Sequence, residues 1–409
     1  MKKQSPFICL MIVLLAAPAV ADDWPYFRGA NRNGISNETG WFGRSSEQGA
    51  EKLWEKRIGS GCSSVVVKGG RLYTMGNTGK KGDPTTHEDV VYCFDAATGN
   101  EIWRHPYKCG LNFKSNTPTG PFAGPIIDQN KVYTFSRKGD AYCLNADTGK
   151  VIWFKDLKEQ VGMKMPFQGG FAGSPLILDD MVVFNAGVAG TALDKRTGNV
   201  IWKSDPNVAA QATPVSFKMA GKQRLAMFSG FGIITVNAAD GRQLWSLPWD
   251  TKYKTNVADP VIIGADRMFV SSWYKMGCAM LDITDGRIIW QNKEMQSHYS
   301  TCVLWQGHLY GFDVSHLKCM DIETGDVKWV KKEGLGRGSL ILSDGKLIVT
   351  TESGTLIICT ASPEKYDPLF KAEIMEGRCY AAPVLANGRI YARNNKSDLV
   401  CVTLNPDKK

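Results

Sequence analysis

The chain lacks most of the short patterns that mark catalytic chemistry. No two of its eleven cysteines are adjacent and no Cys-x-x-Cys-His segment occurs, which excludes an attached c-type haem. The five histidines are scattered singly, and no Gly-x-Ser-x-Gly elbow is present, so no hydrolase triad can be assembled. No glycine-rich loop joins a strand to a helix, which removes the nucleotide-binding fingerprints. Beyond the N-terminal segment, no apolar run approaches the roughly 20 residues of a membrane span. Lysines and arginines never exceed two in a row, so the net charge of +9, or +7 without Lys2 and Lys3, is expected as a dispersed, solvated basic surface, with binding to an acidic polymer as the alternative. Nothing resembles a nucleic-acid module, and no stretch keeps a helical period for three turns.

What the chain has is repetition. Six times an Asp or Asn is followed by Thr-Gly or Asp-Gly and then by a tryptophan: Trp103, Trp153, Trp202, Trp245, Trp290 and Trp329. The tryptophans recur at roughly 40–50 residues, the period of four-stranded propeller blades. Between them run short β-branched and aromatic segments separated by Gly, Asn and Asp turns, which are strand and hairpin signals. Two further units lack the tryptophan: one from Ser339 to Phe370, and one from Ala382 to Val402 that supplies three strands. The missing strand is available in Lys52–Lys56, with Trp54 as its tryptophan. The expected fold is therefore all-β, an eight-bladed propeller closed by an N-terminal strand on the C-terminal blade, which hides two open edges. Each tryptophan is expected to pack against the glycine turn of a neighbouring blade, burying about 200 Å² of ring.

The first residues read as a leader. Lys2 and Lys3 form a basic start, Phe7 to Ala17 an apolar stretch, and Ala19-Val20-Ala21 a small-residue cleavage site. Expected segments are a signal peptide over 1–21, an N-terminal arm over 22–50 and the propeller over 51–409. Cys9 lacks a lipid-attachment context, so the protein is expected to be exported, periplasmic or extracellular, without a lipid anchor. Cys93, Cys143, Cys319, Cys359 and Cys401 share one repeat position and are expected as buried free thiols. Pairing among Cys62, Cys109, Cys278, Cys302 and Cys379 stays open. The loop from Gly76 to His87-Glu88-Asp89 is expected to be mobile and solvated.

Ala192-Leu193-Asp194-Lys195-Arg196-Thr197-Gly198-Asn199-Val200-Ile201-Trp202 resembles the quinoprotein-type repeat Ala-x-Asp-x-x-Thr-Gly-x-x-x-Trp at every fixed position. Asp23-Trp24-Pro25-Tyr26-Phe27-Arg28-Gly29 also looks like the opening of exported propellers of this family. The resemblance covers nearly all of Lys52 to Pro406. It implies a fold like that of the quinoprotein alcohol dehydrogenases. The family so resembled includes BamB-like assembly subunits, other exported bacterial proteins, and dehydrogenases that use pyrroloquinoline quinone (PQQ) with Ca²⁺.

The dehydrogenase alternative needs oxygen ligands converging on the propeller axis. The innermost strands start at Ser63-Ser64, Ala123-Gly124, Gly173-Ser174, Ala212-Thr213, Ala258-Asp259, Ser300-Thr301, Gly338-Ser339 and Ala381-Ala382, and only Asp259 is a carboxylate. No catalytic residue and no metal ligand is assigned, and no cofactor is expected. Residues just before these starts should rim one mouth of the channel: Gln168, Phe171, Gln211, His298, Tyr299, Arg337, Arg378 and Tyr380. Arg337 and Arg378 suit carboxylate or phosphate groups, with Asp259 opposite. The leading expectation is a non-catalytic exported scaffold presenting rim and loop surfaces to an envelope or secreted protein partner. The alternatives are a small PQQ-dependent alcohol or sugar dehydrogenase, and a binder of a small acidic ligand or polysaccharide at the axial mouth.

Overall fold

A computed structural model describes residues 22–43, 49–80, 83–110, 120–162 and 169–405. The leader expected over 1–21 lies outside them. Strands pair into eight sheets in an all-β propeller. Blade 1 starts at Val66–Lys68, blade 2 at Ile126–Asp128, blade 3 at Leu176–Leu178 and blade 4 at Val215–Met219. Blade 5 starts at Val261–Ile263, blade 6 at Val303–Trp305, blade 7 at Ser339–Ser343 and blade 8 at Val384–Ala386. Within each blade the strands are antiparallel neighbours in chain order. Blade 8 is completed by Glu51–Arg57, whose Trp54 lies opposite Cys401.

The repeated phrase has a physical role at every position. In blade 1 the Asp95 carboxylate accepts the Ala97 and Thr98 amides at 3.1 and 2.8 Å and the Thr98 hydroxyl at 2.8 Å, fixing the turn. Gly99 follows at φ +69°, a conformation in which a side chain would be strained. A Cβ there would lie 2.7 Å from the Trp54 ring of blade 8. Trp54 Nε1 meanwhile donates to the Ala96 carbonyl at 3.1 Å. The same link runs around the ring: Trp103 to Ala146, Trp153 to Lys195, Trp202 to Ala238, Trp245 to Ile283, Trp290 to Ile322 and Trp329 to Ser362. A bulge before each tryptophan turns its ring toward the next blade.

The eighth interface has Phe370 in place of a tryptophan, and the N-terminal arm fills it. Phe42 meets Phe370 edge-on at 6.3 Å and bridges to Leu404, while Trp41 beside it is only 1 % exposed. The rest of the arm crosses the floor of the ring. Trp24 exchanges backbone bonds with Val67 of blade 1, Pro25 accepts from Ile127 of blade 2, and Arg32 donates to the Ile177 carbonyl of blade 3. Ile35–Ser36 adds a parallel strand to the innermost strand of blade 7. Glu38 reaches blade 8 at Asn387 and Gly388. The arm is thus an internal part of the ring, which composition alone left undecided.

All ten described cysteines are free, including Cys62, Cys109, Cys278, Cys302 and Cys379. Cys93, Cys143, Cys319 and Cys401 each pack opposite a buried tyrosine of the adjacent strand. The solvated reading of His87 and Asp89 is corrected. Both are buried, His87 Nε2 contacts the Lys80 carbonyl at 2.9 Å, and Asp89 accepts from Asn77 at 2.7 Å. A backbone bond from Cys109 to the His87 carbonyl pulls this segment under the end of blade 1.

Candidate functional site

The innermost strands meet around the axis in a belt of side-chain-to-backbone bonds. Ser174 accepts from the Gly124 amide, Thr213 from Ser174, Asp259 from Thr213 and Thr301 from Asp259, at 2.8–3.2 Å. At these four strand starts the polar side chain caps the preceding blade. Above the belt the channel opens into a cavity of about 430 Å³. Trp24, Phe27 and Arg28 of the arm form its floor. A second cavity of about 240 Å³ lies below, where among the described residues the arm makes no backbone bond to blades 4 and 5.

The mouth is aromatic. Trp273 and Tyr274, on the hairpin between the second and third strands of blade 5, stack at 4.5 Å. His298 lies 4.3 Å from Trp273 and 3.7 Å from Tyr299, and Tyr299 lies 4.8 Å from Tyr380. The Arg337 guanidinium sits 4.8 Å over Trp273 and 5.9 Å from Tyr299. Such cation–π contacts hold a charge in place without neutralising it. Burial, with Arg337 adding to it, lowers the His298 pKa to about 3, so the imidazole is neutral at any physiological pH. Burial pushes the Tyr299 phenol up to about 12 although the ring is 40 % exposed at the rim.

Glu352, which the sequence reading did not single out, organises the far side. Its carboxylate accepts the Arg337 amide at 3.0 Å and the Tyr380 hydroxyl at 3.2 Å, and lies 3.6 Å from Arg378 Nε. Arg378 therefore has its counter-charge already, and the two arginines are not an equivalent pair. The only sequence signal for Glu352 was its place on the turn between Thr350 and Thr355, which faces the same side as the strand starts.

Two expectations need correcting, those for Asp259 and Phe171. Asp259 lines the cavity but does not stand opposite the arginines as a free acid. Its carboxylate is the belt's acceptor for Thr213, faces Arg28, and is raised to about 6 by burial, with Arg28 pulling the other way. Phe171 is fully buried between blades 2 and 3, 5.0 Å from Phe135, and does not reach the mouth. Gln168 lies outside the described residues. Gln211 does line the cavity, with Nε2 donating to the Gly170 carbonyl at 3.3 Å.

Arg28, also missed, comes from the arm and has no repeat position. Its guanidinium donates to the Asn33 carbonyl at 2.9 Å and the Cys302 carbonyl at 2.8 Å, between the two cavities. For a Ca²⁺ ion over a tricarboxylate cofactor the donor set does not fit. Calcium takes six to eight oxygens, and among the described residues lining the cavity Asp259 is the one carboxylate. Among the described residues no group of three or more His, Cys, Asp or Glu side chains could hold a metal.

A family profile described as "Outer membrane protein assembly factor BamB" matches residues 87–331. An outer membrane protein assembly factor BamB from Burkholderia pseudomallei is 23% identical over 301 residues, covering 68% of this chain and 68% of the relative. Among solved structures, BamB from Moraxella catarrhalis superposes with a TM-score of 0.63 at 14% identity, covering 87% of this chain and 98% of that one. The quinohemoprotein alcohol dehydrogenase of Comamonas testosteroni gives 0.70 at 15% identity, over 93% and 80%. Both superpositions describe the fold and leave activity to the site. By the match over residues 87–331, the chain belongs to the outer membrane protein assembly factor BamB family of PQQ-like-repeat propellers.

Proposed function

We propose that this protein is an exported, non-catalytic scaffold in outer-membrane protein assembly, and that it works without PQQ. A protein partner docks at the open mouth of the ring. The observation that carries this reading is the mouth itself, a rigid surface of Trp273, Tyr299, Tyr380 and Arg337 above a floor sealed by the chain's own arm. Tyrosine, tryptophan and arginine dominate the residues that carry binding energy at protein interfaces. Here they are preorganised on eight interlocked blades, which lowers the ordering cost of association. Arg337, stacked on the rings and without an ion pair among the described residues, suits an acidic side chain or chain-end carboxylate of the partner. A second surface supports the scaffold reading. The outermost strands of blades 1 to 3 expose Ile102, Val151, Ile152, Phe154, Val200 and Ile201.

The test is genetic and biochemical. Loss of the protein in its native host is expected to lower the abundance of outer-membrane β-barrel proteins. Wild type should restore it, and a Tyr299→Ala, Arg337→Ala double variant should not. Unchanged barrel levels on loss of the protein would refute the assignment.

A further inference from the structure

Glu38 is a buried anion on the floor of the ring. It is 1 % exposed, and its carboxylate accepts the Asn387 amide at 2.5 Å and the Gly388 amide at 2.7 Å. Its carbonyl accepts the Ser343 hydroxyl at 2.7 Å, so this one residue ties blade 7 to blade 8. The two amides converge because Asn387 and Gly388 both have positive φ, +55° and +72°, which aims successive N–H groups at one anion. No ion pair to Glu38 occurs among the described residues, and the charge that acts on it is of its own sign, the Asp22 carboxylate. Tyr391 and Arg389 lie on the adjoining strand of blade 8. An anion buried without a cation is a costly arrangement.

The third nitrogen at Glu38 is the main-chain nitrogen of Asp22, 3.3 Å from Oε1. Asp22 is held there by its own carbonyl, which accepts from Asn387 at 3.3 Å, and by its side chain, which accepts from Asn37 at 3.3 Å. Asp22 is also the residue that follows Ala19-Val20-Ala21, the small-residue cleavage site read from the sequence. We propose that the Glu38 carboxylate is the binding site for the α-ammonium group of Asp22, created when the leader Met1–Ala21 is removed. Hydrolysis of the Ala21–Asp22 peptide bond consumes one water. It leaves a carboxylate on Ala21 and an amine on Asp22, which takes a proton at neutral pH. The neutral amide donor of the precursor becomes a cation, and the buried anion gains its counter-charge. Processing thereby completes the seal between arm, blade 7 and blade 8. The inference rests on the leader and on this geometry, and it holds whichever partner the mouth takes.

The sign of the pH effect follows. An amine whose pKa is raised by folding stabilises the protein fully below its unfolded value, near 8, and loses that contribution as pH rises through the raised value. The test compares full-length mature protein beginning at Asp22 with the same protein Nα-acetylated. The free amine is expected to titrate clearly above 8 when followed by NMR with ¹⁵N at Asp22. The mature protein is expected to melt higher than the acetylated one at pH 7, with the gap closing at high pH. Glu38→Gln should abolish the gap, and if that variant does not fold, the acetylation comparison decides alone. An amine titrating at its ordinary value, equal melting points at pH 7, or a protein exported by the native host that begins at another residue would each overturn the proposal.

Discussion

Trp202→Ala is expected to destabilise the propeller by about 3–5 kcal/mol, the usual cost of emptying a buried aromatic site. The ring is 7 % exposed, its Nε1 donates to the Ala238 carbonyl at 2.9 Å, and its face lies where a Cβ on Gly241 would be at 2.5 Å. Truncation loses the ring's apolar contact, opens a void between blades 3 and 4, and orphans a buried carbonyl. Trp202→Phe keeps most of the packing and loses only the hydrogen bond, so it should cost about 1 kcal/mol. Denaturant unfolding of both variants checks the ratio. Equal losses would mean that the hydrogen bond, not the ring, holds the blades together.

Arg28→Ala is expected to cost about 3 kcal/mol, because charge-assisted bonds to two carbonyls vanish and Asp259 loses the cation that faces it. A second change, Asp259→Asn, should recover part of that loss, since it removes the stranded charge while keeping an acceptor for the Thr213 amide. Asp259 also carries a pH signature of unusual sign. Its folded pKa, about 6, lies above the unfolded value, so the folded state holds its proton more tightly. The contribution is full below about pH 4 and is lost as pH rises through about 6, at about 1.4 kcal/mol per pH step. Asp89 is raised to about 6 as well, chiefly by burial, and acts in the same window. The difference between wild type and Asp259→Asn across pH 4–7 isolates the channel residue. A flat difference would show that Asp259 ionises normally in the fold.

The ring was legible because its grammar is periodic. Asp, Thr-Gly and Trp each answer a local need, the turn cap, the positive φ and the blade contact, and the same needs recur at every blade. The closing strand around Trp54 followed from a missing fourth strand. The arm was illegible for the opposite reason. It bonds to the inner strands of six different blades through backbone groups and single side chains such as Arg28 and Glu38, which no periodicity marks. At the mouth, Tyr299, Tyr380, His298 and Arg337 were reached by counting back from the strand starts. That count could not separate Phe171, turned into the core, from its neighbours. It also could not show that Asp259 serves the belt, because side-chain direction at a strand start depends on the blade beside it.

The scaffold reading is tested most directly by placing a photo-crosslinking amino acid at Tyr299, which is 40 % exposed at the rim, and irradiating intact envelopes of the native host. A discrete adduct with a component of the outer-membrane protein assembly machinery is expected, identified by mass spectrometry and lost in the Arg337→Ala background. No protein adduct, together with saturable, Ca²⁺-dependent binding of PQQ by the purified protein, would contradict it and make the mouth a cofactor pocket.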